Sequence, residues 1–387
     1  MERQAVAAGV TAALLGYASS VAVVVAGLTA VGASARQVSS ALLALGVVMA
    51  VTSATLSTTT RIPVSVVWST PGLALLATTG PVDGGFPAVI GGLAVAGAFI
   101  ALTGLLRPLT RALQRLPPAL TSAVLAGVLL PFCLAAVQAL GPLPIEAGAI
   151  CVAWLLALRL AASYAAPVAL LALVVVVLAG GSPLPQGAPL LPSFELTTPV
   201  LTAEALTAVA LPVYLVTMAA QNLVGVAVLS ANGYRPPVGT LLVSTGAASA
   251  VAAPLGMPTV NLAAITGALT AGPAAHQDPA RRWSAGVAAG VTYLALGLLA
   301  PLATGVIAGT DPRLVATAAG LGLFGPFTAS AAAALADDAL RVPAAVTLLV
   351  TASGLTAMGL GSAPLGLLAG LVVLVVLRPR TRTARAT

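Results

Sequence analysis

The stretch IPVSVVWSTPG, residues 62–72, decides the fold. An early proline and β-branched residues favour extended backbone at 62–66. Trp68 follows, and then Ser69-Thr70-Pro71-Gly72, where Pro71 suits the first turn of a helix. MPTVNLAAITG, residues 257–267, repeats the plan: an extended piece at 257–261 containing Asn261, then Thr266-Gly267 at a helix start. The two stretches lie 195 residues apart. The same offset aligns Gly91 with Gly286, Pro117 with Pro312, Gly127 with Gly322, and Pro131-Phe132 with Pro326-Phe327. Alanine coincidences carry no weight in so Ala-rich a chain. The aligned prolines and glycines predict two related halves.

Composition names the solvent. Hydrophobic residues make up 59% and charged residues 6%, with a mean hydropathy of +1.09. Soluble domains carry roughly 25% charged residues, so lipid must cover most of this surface. The chain has no lysine; its 16 basic residues are all arginine and, against nine acidic residues, leave a net charge of +7. They do not interleave with aromatics, so the charge does not point to nucleic acid. Cys133 and Cys151 lie in apolar runs and read as small buried thiols. The first apolar run has no convincing cleavage site and reads as a span.

Breaks at Arg, Pro and Gly clusters give about fourteen segments. Seven lie near 5–32, 38–57, 62–79, 85–106, 119–138, 145–160 and 164–180. Seven more lie near 204–230, 237–254, 257–272, 283–308, 312–333, 342–357 and 361–377, with 181–203 as a linker. With a cytoplasmic N-terminus and fourteen crossings, only Arg36 and Arg313 fall outside; the other 14 arginines, including the C-terminal tail, fall inside. Seven spans per half is odd, so the second half is inverted. The expectation is an all-α polytopic membrane protein, a 7+7 inverted repeat whose segments 3 and 10 are broken half-helices. In such carriers paired broken segments mark the binding site, because extended backbone at membrane depth survives only in protein or beside a cavity.

The candidate site residues follow. The half-helix starts Thr70–Gly72 and Thr266–Gly267 present unpaired N–H groups suited to an anion. Gln221-Asn222 sits in an otherwise apolar span and must face protein, as a ligand or backbone contact or as an interhelical bond. Asn261 lies at the second break, Ser19 and Ser20 in the first span, and Trp68 beside the first half-helix. No carboxylate falls at the centre of a span. Asp337 and Asp338 are the remaining candidates for proton coupling, with a solvated turn beside Arg341 as the plainer reading. His276 reads as a loop residue. No nucleophile triad, phosphate loop, zinc site or cofactor motif is found.

YLVTMAAQNLVGVAVLSANGY (214–234), NLAAITGALTAGPAAHQDPARRW (261–283) and WSTPGLALL (68–76) together resemble the benzoate–proton symporter (BenE) family, over essentially the whole chain. The resemblance implies an inner-membrane carrier importing benzoate or a related aromatic carboxylate with protons, and leaves a homodimer open. It implies the fold of uracil and sulfate permeases. There the core domain would be 1–106 and 204–308, and the gate domain 107–180 and 309–387, with substrate between the ends of spans 3 and 10. Uracil permeases place an acidic residue in span 8, where this chain has Gln221-Asn222. An amide suits an anionic substrate better, and it leaves the substrate carboxylate itself as one carrier for the proton. The alternatives are a same-fold carrier of another anion or a nucleobase, a passive anion channel, and a membrane-embedded enzyme, for which no catalytic constellation is present.

Overall fold

The computed structural model describes residues 2–114, 116–180, 192, 194–308, 310–355, 357 and 361–377. Much of the 181–203 linker, Arg115 and the four arginines after 377 lie outside the described residues. The first half contains α1 (Arg3–Ala30), α2 (Ala35–Thr60), strand β1 (Val66–Trp68), α3 (Thr70–Thr79), α4 (Gly85–Leu105), α5 (Arg107–Gln114), α6 (Pro118–Gln138), α7 (Pro144–Ala161) and α8 (Ala165–Ala179). The second half opens with α9 (Ala205–Ala231). There follow α10 (Val238–Ala252), β2 (Val260–Leu262), α11 (Ile265–Ala271), α12 (Trp283–Leu298), α13 (Ala300–Ala308), α14 (Pro312–Leu335), α15 (Arg341–Ala352) and α16 (Ser362–Leu377). Among the described residues, eight helical stretches are long and apolar enough to cross a membrane. Ile145, Leu160 and Val251 are each 81% exposed, which only lipid makes affordable.

Three local readings change. The strands lie at 66–68 and 260–262, later than the extended pieces expected at 62–66 and 257–261. Val64 turns back to bond Ile62, so the segment straightens only after it. The segment expected at 283–308 is two helices, because Pro301 lacks the N–H needed to continue α12 through Leu299. The second half-helix starts at Ile265, one residue early, which puts it 195 residues after Thr70.

The helices pack in a reciprocal pattern. Helix α2 packs on α12, and α4 on α10. In the first contact the second segment of one half meets the fourth of the other, and the second contact reverses the roles. Helix α1 crosses α3, α11 and α12. A second group joins α6 to α14 and α15, α15 to α16, and α14 to α7 and α8. Lipid gives no hydrophobic drive between helices, so close backbone contact has to supply the attraction. Gly97 and Gly104 of α4 meet Gly246 and Gly239 of α10; a Cβ at Gly104 would lie 2.7 Å from the Gly239 carbonyl oxygen. On α16, a Cβ at Gly366 or Gly370 would collide with Thr351 and Thr347 Oγ1 respectively. Their hydroxyls are buried without a hydrogen-bond partner and occupy the space those glycines leave.

Candidate functional site

The two strands cross antiparallel, with Val66 opposite Leu262, Val67 opposite Asn261 and Trp68 opposite Val260. Between them, Ser69 N donates to Thr259 O at 2.9 Å and Ala263 N to Ser65 O at 2.8 Å. Four N–H groups in and beside the strands are met by side chains. Val64 N donates to Ser57 Oγ (3.1 Å) and Val66 N to Ser53 Oγ (2.9 Å), one helical turn apart on α2. Val260 N donates to Ser249 Oγ of α10 (2.9 Å), and Leu262 N to Asn222 Oδ1 of α9 (3.0 Å). A buried amide left unpaired would cost about 1–3 kcal/mol. Ser53, Ser249 and Asn222 remove that cost for Val66, Val260 and Leu262, while Ser57 is a second acceptor for Val64 N, which also bonds Ile62 O.

Asn222 reaches Leu262 from a π-helical turn, Met218–Asn222, in the middle of α9. Such wide turns recur at functional sites because they re-aim side chains. Asn222 is fully buried, and its Nδ2 donates to the Met218 sulfur at 3.4 Å. The neighbouring Gln221 is half-buried and makes no hydrogen bond to protein among the described residues. Its turn packs against both β2 and α6, so it lies where the two helix groups meet. Asn261 is also fully buried. Its Nδ2 donates to Leu262 O at 2.9 Å, while its Oδ1 has no donor. Ser65 Oγ is likewise buried and unpartnered. Strand alternation puts Ser65, Val67, Asn261 and Ala263 on one face of the crossing, and Val66, Trp68, Val260 and Leu262 on the other.

The two half-helix starts differ. Ser69 caps α3, accepting from Gly72 N at 3.1 Å, and its Oγ shares a hydrogen bond of 2.7 Å with Thr217 of α9. Thr217 in turn lies 3.4 Å from the Thr259 hydroxyl. With Pro71 lacking an N–H, Thr70 N is the open donor there. Helix α11 has no side-chain cap on Ala264, so the starts expected at Thr70–Gly72 and Thr266–Gly267 are not equivalent. The α11 end carries the less satisfied set of N–H groups.

Trp68 is 3% exposed and offers no open face in this conformation. Its ring is met edge-on by Tyr17 and Tyr293 at centroid distances of 5.4 and 6.0 Å, and its Nε1 donates to Ser20 Oγ at 3.1 Å. Tyr293 also pairs with the Thr266 hydroxyl. Ser19 and Ser20 both bond Gly16 O at 2.9 Å. A Cβ at Gly16 would come within 2.7 Å of Thr266 and of the Tyr293 hydroxyl. Trp68, Ser20 and Thr266 therefore form one knot joining α1, β1, α11 and α12. Trp68→Phe keeps the ring contacts and removes the Nε1 donor. The expected result is a loss of about 0.5–1.5 kcal/mol in stability, read as a lower thermal midpoint in detergent, with the fold intact.

Asp337 and Asp338 lie apart from this region, exposed in the turn between α14 and α15. Asp337 Oδ1 accepts from Ala339 N at 2.9 Å, and Asp338 pairs with Arg341. His276 lies in the loop after α11, its Nδ1 accepting from Asp278 N at 3.0 Å. The same loop is tied by Arg282, which is 5% exposed. Its guanidinium donates to Ala271 O at the end of α11 (2.9 Å), His276 O (2.6 Å) and Gln277 O (3.1 Å). Burial raises the nearby Tyr234 phenol above its ordinary range, and Arg282 partly offsets this.

A broken pair of segments crossing inside a helical bundle, with amides and hydroxyls around it, is a transporter's arrangement. The sequence profile of the family described as benzoate membrane transport protein matches residues 1–376. The chain belongs to that family. It is 39% identical over 373 residues to the inner membrane protein YdcO of Escherichia coli (strain K12), spanning 96% of this chain and 95% of that one. It is 28% identical over 379 residues to the benzoate membrane transport protein of Acinetobacter baylyi (strain ATCC 33305 / BD413 / ADP1), again 96% of this chain and 95% of the other. Among solved structures, the transmembrane domain of the cyanobacterial bicarbonate transporter BicA superposes with a TM-score of 0.61 at 17% identity, covering 96% of this chain and 97% of that one. That likeness establishes a shared fold. The family and these relatives are multi-pass membrane proteins, not enzymes.

Sequence reasoning missed Ser53, Ser57, Ser249, Thr217, Thr259, Tyr17 and Tyr293. The spacing of Ser53 and Ser57 was visible, but α2 holds so many Ser and Thr residues that nothing distinguished these two. Tyr17 and Tyr293 carry no local signal, since only the fold brings them to Trp68.

Proposed function

We propose that the chain imports benzoate or a related aromatic carboxylate by proton symport, with a core group (1–106 and 204–308) moving against a gate group (107–180 and 309–387). The reading takes fourteen segments as a 7+7 inverted repeat, both termini cytoplasmic, in the inner membrane. The carrying observation is that the polar groups at the strand crossing are all uncharged: Gln221, Asn222, Asn261, Ser65, Thr217, Thr259 and the half-helix N–H groups. A carboxylate suits such donors, whereas a buried acid beside them would repel it. Gln221 is the best placed ligand contact, because its amide is uncommitted among the described residues and its turn packs against both helix groups. Asn222 holds β2, Asn261 supplies an acceptor, and Trp68 braces the site from behind. The substrate is recognised as the carboxylate and then takes up the proton itself for the crossing, since the nine acidic residues lie at helix ends and in loops.

The test is uptake of labelled benzoate into proteoliposomes, competed by aromatic acids, bicarbonate and nucleobases. Aromatic acids should compete and nucleobases should not; the reverse ranking would contradict the substrate class. Gln221→Ala should raise KM about tenfold, the loss of one hydrogen bond to a charged group, with little change in thermal midpoint. Asp337→Asn with Asp338→Asn should leave pH-driven uptake in place. Its abolition would move the proton from substrate to protein.

A further inference from the structure

A well-defined cavity lies away from the strands. It is a groove of about 660 Å³ between the end of α4, helix α5 and the start of α10. Thr110 and Arg111 of α5 line one wall, and Thr240 and Ser244 of α10 the other. Leu105 and Val243 form its apolar part. Thr110 is committed, because its hydroxyl donates to Thr103 O at 2.6 Å and pins α5 against α4.

The other polar groups are unused. Serine and threonine inside helices commonly donate back to the carbonyl four residues earlier. On α10, Thr245 and Ser249 do so, to Leu241 O at 2.9 Å and Thr245 O at 2.7 Å. Thr240 and Ser244, four residues apart and lining the groove, make no protein hydrogen bond among the described residues. Arg111 is exposed and forms no ion pair among the described residues. The sequence also holds no Asp or Glu between Asp83 and Glu146, or between Glu204 and Asp278, so both walls come from acid-free stretches.

Helix α5 is strongly amphipathic, and it presents Thr110 and Arg111 to the groove. Such helices lie in the membrane interface. The groove therefore opens at headgroup depth and continues onto apolar surface, with Leu102 43% and Leu105 67% exposed.

We propose that this groove is a binding site for an anionic phospholipid. Its phosphate is held by Arg111, Thr240 and Ser244, and its acyl chain lies along Leu102 and Leu105. A guanidinium and two free hydroxyls match the several acceptor oxygens of a phosphate. The continuous apolar surface selects a lipid over a soluble phosphate. The inference is independent of the transported substrate.

The experiment is thermal unfolding of the purified full chain in neutral detergent. The probes are phosphatidylglycerol, phosphatidylcholine and glycerol 3-phosphate, with bound lipid counted by native mass spectrometry. Phosphatidylglycerol alone should raise the midpoint by about 3 °C or more, as binding to the folded state requires, and should remain bound. The R111Q/S244A pair should lose at least half of both the shift and the retained lipid. R159Q, at the end of α7, should keep both. Any of three results would overturn the proposal: an equal shift from phosphatidylcholine, an equal shift from glycerol 3-phosphate, or full retention of phosphatidylglycerol by R111Q/S244A. Mass spectrometry decides the matter if the pair proves less stable from the outset.

Discussion

Asn222→Leu should reduce benzoate uptake per folded molecule by at least about tenfold, because about 1–3 kcal/mol is lost when a buried amide is left without an acceptor. The substitution nearly conserves volume, so packing against Met218 survives while the acceptor for Leu262 N disappears. Leu262 is the residue opposite Val66 in the three-pair ladder, and its neighbour Asn261 supplies the unpartnered oxygen. A strand released at that point moves Asn261 and the uncapped start of α11 together. Asn222→Asp separates support from recognition. A carboxylate oxygen accepts the same bond, so folding is largely recovered, but the added negative charge repels an anionic substrate. The expected pattern is therefore low uptake in both variants and a lower thermal midpoint chiefly in N222L. Normal uptake by N222L would show that the strand does not need this acceptor.

Gly286→Ala should destabilise the protein by about 2–4 kcal/mol, combining overpacking with disturbed buried hydrogen bonds. A Cβ there would collide with Ser57 Oγ and lie 2.7 Å from Val64 O. That hydroxyl is the clamp on β1, donating to Val64 O at 2.9 Å and accepting from Val64 N at 3.1 Å. Neither backbone can yield without moving the strand, so uptake falls along with stability. Gly91, its counterpart at the 195-residue offset, meets backbone of a different kind. A Cβ there would collide with Val200 O in the connection before α9. Gly91→Ala should lower the thermal midpoint while molecules that fold keep benzoate affinity. Chemical denaturation and uptake normalised to folded protein distinguish the two. Equal loss of affinity in both would remove the special role assigned to the Ser57 clamp.

The glycines explain what was legible in the sequence. A glycine pressed against backbone and a proline at a helix start are local necessities, so they recur at a fixed offset and expose the two halves. Segment positions followed from hydropathy, and the broken segments from Pro63, Pro258 and the β-branched runs. The strand register was not legible, because it depends on which N–H groups meet Ser53, Ser249 and Asn222. Gln221-Asn222 stood out as an amide pair in an apolar span. Only the π-helical turn sends Asn222 to the strand and leaves Gln221 free. Trp68 was a candidate site residue because it borders a half-helix. Tyr17 and Tyr293, distant in sequence, enclose it. Asp337 and Asp338 were chosen because no acid lay deeper, and the structure places them in a solvated turn.

The most direct test of the account is accumulation of labelled benzoate by proteoliposomes under an imposed pH difference, alkaline inside. A proton-coupled carrier predicts transient accumulation above the outside concentration, abolished by a protonophore and strongly reduced in N222L. Equilibration without accumulation, unaffected by the protonophore, would contradict it and indicate a passive anion pathway.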